Sequence, residues 1–233
     1  MGGRTWNGHE IPDGADLETL ARMLDGDPPA PWLAFLALGA RSDPAALQLI
    51  VDQCGNVDPY KRRAAVETIG RSPIGAQAIA YVRRALDDPA PPVVDTAIAA
   101  IGKLHDEESR PRLRALLRDG NPYYRGYALL ALGDMWSDAD FAAVLEIARR
   151  DRDERNRKNA ASILRAHPLE WRQLVELWRE SELPPQRGWV CELIGERGDV
   201  TDRALLERLR RDRNGHVRQR AEEALLALEK RSE

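Results

Sequence analysis

An all-α fold of about seven stacked helix pairs is predicted by three features of this 233-residue sequence. A small-residue mark returns every 30 to 32 residues, at Ala34, Ala65, Ala97, Ala128, Ala160, Val190 and Ala221. Five residues after these marks stand Gly39, Gly70, Gly102, Gly133, Arg165, Gly195 and Leu226, each preceded by Leu or Ile. The segments between carry apolar residues at three- and four-residue steps, the spacing of one face of an α-helix. Self-similarity at such a period means repeated supersecondary units, and no unit buries its apolar face alone, so each must lean on its neighbours.

Each unit divides into an A helix and a B helix. The A helices are read at 15–24, 44–54, 76–86, 108–117, 139–149, 169–179 and 201–210, and the B helices at 31–38, 59–69, 91–104, 122–136, 154–166, 185–194 and 215–229. Asp58-Pro59 and Asn121-Pro122 set a capping side chain before a first-turn proline, whose missing N–H costs nothing there. The glycines near the B-helix ends serve a left-handed residue or a close approach of the next helix. The recurrent alanine lets two helix backbones come together. Residues 1–14 read as an N-terminal arm, partly disordered, and 15–230 as one repeat domain.

A second register is electrostatic. Asn56, Asp119, Asp151 and Asp212 stand six residues before Arg62, Arg125, Arg157 and Arg218. The third unit has Asp88 but Val94, and the sixth has Ser181 with Arg187. Each guanidinium is expected to reach turn carbonyls or the acid of a neighbouring unit, a structural ladder and not a site.

The formal net charge is −3, from 35 basic and 38 acidic side chains, which gives no reason for strong nonspecific attraction to DNA or anionic membranes. The halves differ: residues 149–233 hold 20 Lys or Arg against 17 Asp or Glu, and residues 1–148 hold 15 against 21. Cys54 and Cys191 lie in different units without metal-ligand spacing and read as buried, reduced thiols of a cytoplasmic protein. The longest apolar stretch, 30–40, is too short to cross a bilayer, and no secretory signal is expected at the N-terminus.

Segments such as DGNPYYRGYALLALGDM and DRNGHVRQRAEEALLAL hold Asp, Arg, Ala and the terminal aliphatic residue in fixed register. In this they resemble HEAT repeats of the short bacterial type first associated with phycobilisome lyases, over about residues 15–230. The resemblance implies a right-handed α-α superhelix, a HEAT-like solenoid, with the B helices lining its concave side and serving as a surface for other macromolecules. Three functional relatives set alternatives. Deoxyhypusine hydroxylase is marked by recurring His-Glu pairs, and here such a pair stands only at His9-Glu10 in the arm. HEAT-like alkylpurine DNA glycosylases place a catalytic Asp near a Trp, which Trp136 and Asp140 resemble, although at a junction between units. A bilin lyase-like subunit is the third.

Helical spacing selects the B-helix positions that face away from the core, namely five, two and one before each mark and two after it. These include Glu67, Asp95, Leu130, Glu192 and Glu223. The candidate partner-binding residues among them are Tyr60, Arg63, Tyr123, Tyr127, Arg155, Lys158, Trp189 and Arg220, a mixture of aromatic and basic side chains of the kind that dominates interfaces. Tyr127 and Trp189 immediately precede core marks and are also read as gap fillers. The run 149–158 is either a solvated turn with internal pairing or an anion site beside Tyr123 and Tyr127. Trp171 and Trp178 read as a packing stripe, Trp32 as part of an atypical capping unit, and Trp6 as folding back over the first repeat. No phosphate loop, nucleophile elbow or general-base constellation is found, so the chain reads as a non-enzyme without cofactor or metal. Its expected partner is a protein or peptide, possibly acidic; nucleic acid and membrane are not expected.

Overall fold

The computed structural model describes residues 4–232, and Met1, Gly2, Gly3 and Glu233, including the first three residues of the proposed arm, lie outside the described residues. Among these, 14 α-helices alternate as read. The A helices are α1 (Leu17–Leu24), α3 (Pro44–Asp52), α5 (Ile79–Ala85), α7 (Arg110–Leu116), α9 (Phe141–Arg150), α11 (Trp171–Trp178) and α13 (Arg203–Leu209). The B helices are α2 (Ala30–Gly39), α4 (Pro59–Ile69), α6 (Pro91–Lys103), α8 (Pro122–Asp134), α10 (Glu154–Ala166), α12 (Pro184–Arg197) and α14 (Gly215–Ser232). The fold is an all-α solenoid. Several A helices are shorter than their apolar pattern suggests, because single 3₁₀ turns at Gly75–Ala78, Glu107–Ser109, Asp138–Asp140 and Val200–Asp202 precede them. Such tight turns bring the chain round from the preceding B helix in few residues. Ahead of the helices, β1 (Thr5–Trp6) pairs antiparallel with β2 (His9–Glu10), and Ile11 is buried.

Two compact units are formed, one from residues 4–143 with 151–159 and one from 144–150 with 160–232, so that α9 and α10 are each divided between them. In the first unit α2 packs on α4, α4 on α6 and α6 on α8; in the second, α12 packs on α14. Every mark from Ala34 to Ala221 is fully buried, and so are the aliphatic residues Leu38, Ile69, Ile101, Leu132, Leu164 and Ile194. The glycines act by close approach. A Cβ on Gly70 would fall 2.8 Å from the Ala100 Cβ, and one on Gly102 would fall 2.7 Å from the Ala131 Cα. Both glycines sit in right-handed helical backbone, since the positive-φ residues among those described are Asn7, Gly8 and His105. The contacting small residue stands three after the next mark.

The ladder is formed in both units. Arg62 donates to the Asn56 and Val57 carbonyls at 2.9 and 3.1 Å and holds Asp88 with two bonds of 2.7 and 2.8 Å. Arg125 does the same to Asp119 O, Gly120 O and Asp151, and Arg187 to Ser181 O and Asp212. Arg157 and Arg218 keep the carbonyl contacts of their own turns. In the third repeat Val94 is buried where the second and the fourth to seventh place this arginine, and the first has Pro31 there. Bonds from these guanidiniums hold the Asp88, Asp151 and Asp212 carboxyls below the usual carboxylate range.

Candidate functional site

The B-helix face of the first unit begins with two capped helix starts. The Asp58 side chain accepts the Tyr60 N–H at 2.9 Å, and the Asn121 side chain accepts the Tyr123 N–H at 3.0 Å. The capped first turn leaves little cover for the following side chain, and Tyr60 and Tyr123 are 66% and 56% exposed. Further along the same helices a cleft of about 120 Å³ opens between α4, α6 and α8. Arg63, Glu67, Asp95, Thr96, Lys103 and Tyr127 line it, over a floor of small residues that includes Gly70 and Ala100. The close backbone packing at Gly70 is what keeps that floor low.

Within the cleft one group is left unsatisfied. Asp95 Oδ1 is buried and, among the described residues, is the one such side-chain atom without a hydrogen-bond partner. Burial raises the Asp95 pKa above the usual range, and the charge of nearby Arg63 offsets this only in part. An unpaired buried acceptor costs on the order of 1–3 kcal/mol, so its presence calls for an explanation. Arg63 reaches towards Glu67 at 4.0 Å, while Glu67 is held at 2.7 Å by Arg71.

A larger cleft, about 360 Å³, lies between α2 and α4 beneath the N-terminal hairpin. Trp6, Trp32, Phe35 and Leu36 make it apolar, and Glu67 and Arg71 stand on its side towards α6. Arg4 ties the hairpin down by donating to the Leu36 carbonyl at 3.3 Å and by pairing with Asp13. Glu67 therefore belongs to both clefts.

The other sequence-selected residues are placed differently. Arg155 lies over the Tyr123 ring at 5.3 Å and is held by Asp153 at 2.8 Å; its bonds to Asp153 and then Tyr123 raise its pKa. Lys158 pairs with Glu154 at 2.7 Å. Asp151 takes Arg125, Arg157 takes its turn carbonyls and Arg150 meets Glu146 at 3.1 Å, so the run 149–158 is paired partly within itself and partly with residues before it. Trp189 and Arg220 lie in the second unit. Trp189 packs edge-on against buried Trp178 at 5.3 Å, which makes it a packing residue. Arg220 bonds Glu192 at 3.1 Å, and Glu192 also takes Arg165 at 2.6 Å. The packing stripe expected of Trp171 and Trp178 reduces to Trp178, since Trp171 is half-buried under the Arg172 guanidinium at 4.4 Å.

Two features bear on catalysis. Asp140 is completely buried and bonded by Arg110 and by Arg114 Nε, the latter at 2.5 Å. Burial pushes the Cys54 and Cys191 thiols up to about 12, so neither is a ready thiolate. No helix is long and apolar enough to cross a membrane among the described residues.

Residues 17–100 and 84–165 match the family of HEAT repeats, more than half of the chain. The chain belongs to the HEAT-repeat family. Among curated proteins none matches its sequence. The X-ray structure of Escherichia coli YibA is similar at 16% identity, with 92% of this chain and 93% of that one aligned and a TM-score of 0.51. A homology model of the full-length AP-3 complex in an intermediate open conformation is similar at 16% identity and a TM-score of 0.56, over 89% of this chain and 50% of that one. Both likenesses are of fold alone.

In this HEAT-repeat protein Arg63, Glu67, Asp95 and Tyr127, which helical spacing put on the side away from the core, line one cleft. The spacing missed Lys103, six residues after its mark, because the selected positions stopped at two after. It also left Trp6 and Trp32 out of the candidate contacts, although an aromatic residue two before the mark is the same register position as Arg63 and Asp95.

Proposed function

We propose that this HEAT-repeat protein is a non-enzymatic scaffold or adaptor that holds a protein or peptide segment along the B-helix face of residues 4–143 and 151–159. The observation that carries this reading is the cleft between α4, α6 and α8, which opens beside the exposed Tyr60 and Tyr123 at the starts of α4 and α8. Exposed Tyr60 and Tyr123 at the helix starts add the rigid, amphipathic contact area on which hot spots are built. The non-enzymatic part is supported by Asp140, whose carboxylate is committed to two guanidiniums and has no free face for a substrate. Membership of the short bacterial subclass and a cytoplasmic location belong to the same proposal.

The test is photo-crosslinking in native extract, with p-benzoylphenylalanine placed at Tyr60, at Tyr123 or at the exposed A-helix residue Gln48. Adducts to a discrete protein are expected from the two B-helix positions and not from the A-helix position. Adducts of equal yield from all three, or from Gln48 alone, overturn the reading.

A further inference from the structure

One stripe of α4 carries Arg63, Glu67 and, just past the helix end, Arg71, at intervals of four residues, so a single carboxylate stands between two guanidiniums. Arg71 holds it at 2.7 Å, and Arg63 comes no nearer than 4.0 Å. The same helix is the wall between the two clefts. Ala64 faces the apolar cleft towards α2, Arg63 faces the polar cleft towards α6 and α8, and Glu67 borders both. From this we infer that the face binds an extended polypeptide segment carrying one large apolar side chain and, about three residues away, one carboxylate. The inference rests on the peptide-binding reading above and gives that partner its chemistry.

The apolar half of the recognition follows from the lining. Trp6, Trp32, Phe35 and Leu36 border about 360 Å³ that the chain's own core leaves unfilled, room for one large hydrocarbon side chain. Its entry removes apolar surface from water on both partners, worth roughly 25 cal/mol per Å².

The anionic half follows from the charges on the wall. Arg63, Arg71 and Lys103 face Glu67 and Asp95, three cations to two acids, while Arg4 is matched by Asp13. One positive charge is left over, which one carboxylate neutralises. Exposure sharpens the sign. The Arg63 and Arg71 side chains are 48% and 59% exposed against 34% for Glu67. Lys103 is exposed and pairs with no acid among the described residues, whereas Asp95 Oδ1 is closed to any entering group. A ligand therefore meets donors first. Arg63 offers the planar fork that holds a carboxylate through two N–H bonds, and its slack contact with Glu67 leaves that fork open. A lysine or arginine entering the same place would meet like charge from Arg63 and Lys103.

The spacing comes from helix geometry. An α-helix with its side chains is about 10–12 Å across, which sets the distance from one side of α4 to the other. An extended chain advances roughly 3.3 Å per residue, so about three residues make the crossing.

The test uses the whole protein, isotopically labelled, and blocked hexapeptides. These are Ala-Leu-Ala-Ala-Glu-Ala and its reverse, and then, in the tighter order, versions with glutamine or lysine in place of glutamate and with alanine in place of leucine. NMR titration reads the indole N–H signals of Trp6 and Trp32, the Arg63 Nε–H, and the amides of Thr96 and Ala99. The glutamate peptide should shift all three groups of signals. Glutamine in place of glutamate should weaken binding about fivefold, the effect of one half-exposed ion pair, and lysine should weaken it further. Arg63→Ala should bind the glutamate and glutamine peptides alike, and the peptide without leucine should leave the indoles still. A lysine peptide that binds as tightly as the glutamate peptide, a glutamate preference that survives Arg63→Ala, or no shift at either cleft overturns the inference. Should Tyr60 and Tyr123 crosslink a partner while the peptides show no preference, the binding face stands and its charge selectivity falls. Selective peptide binding without crosslinks leaves the two clefts standing and removes the proposed course past the tyrosines.

Discussion

The B helices of the two units follow one register but use their charges differently. In the second unit Arg165 stands where the other register positions mostly hold glycine, and its guanidinium reaches Glu192 at 2.6 Å and Glu196 at 3.6 Å. Arg220 then takes the other Glu192 oxygen at 3.1 Å, so the face is neutralised from within. In the first unit the corresponding glycines let the helices close on one another, Arg63 lies 4.0 Å from Glu67, and Asp95 Oδ1 has no partner. The lesson is that one repeat architecture yields a self-satisfied surface or an unsatisfied one according to whether long charged side chains find each other across adjacent helices. The unsatisfied surface is the better candidate for a ligand.

The comparison supposes that the skeleton is the same in both units, and the ladder tests that with the largest effect. Asp151 is fully buried at its side chain beside Arg125, and Asp212 is nearly so beside Arg187. Replacing either carboxylate by the amide, Asp151→Asn or Asp212→Asn, leaves a buried guanidinium without its counter-charge. The expected loss is about 3 kcal/mol, the low end for a broken buried pair, because each arginine keeps at least one turn carbonyl. Denaturant unfolding should show similar losses for the two variants. A loss in one unit and not the other breaks the premise of a common skeleton.

The faces themselves separate at a smaller scale. Arg220→Ala removes a half-exposed pair and should cost about 0.5–1 kcal/mol of stability, with no effect on partner binding. Arg63→Ala removes the loose contact with Glu67 and the charge that partly offsets the burial of Asp95, so its melting temperature should fall by no more than about 2 °C from wild type. If peptide binding follows Arg220 and ignores the first unit, the two faces have been assigned the wrong way round.

The repeat was legible because each mark is a packing position: Ala65, Ala97, Ala128 and Val190 are all completely buried between helices, where only small or compact side chains recur. The carbonyl half of the ladder was legible because acceptor and guanidinium are six residues apart in one chain segment, and the carboxylate half because the next repeat brings its turn acid about 26 residues on. Arg63 and Tyr127 were found by spacing alone, since helical phase decides which side a residue occupies. Whether charge at such a position is spent depends on reach between helices some 30 residues apart in sequence, as with Arg165 and Glu192, and spacing says nothing of reach. Arg155 and Lys158 are held locally, by Asp153 and Glu154 two and four residues before them, a pairing that spacing to the mark alone does not show. Trp189 was decided by Trp178 on the preceding A helix.

The smallest effect distinguishes the units by sign. Asp212 has a folded-state pKa lowered by Arg187, so its contribution to stability is present above the unfolded value near 3.9 and is lost as pH falls through the folded one. Asp95 has a raised value, caused by burial, so the stability it lends is full below about pH 3.9 and is lost as pH rises through its folded pKa. At pH 7 Asp95 therefore opposes folding, and Asp95→Asn should gain about 0.5 kcal/mol, a rise of roughly 1–2 °C in melting temperature. Asp212→Asn should lower the melting temperature at the same pH. Both differences should shrink towards zero as the medium is acidified, from opposite sides. A fall in stability for Asp95→Asn at pH 7 would mean that its carboxylate is already satisfied within the chain, and the first unit would then be as self-contained as the second.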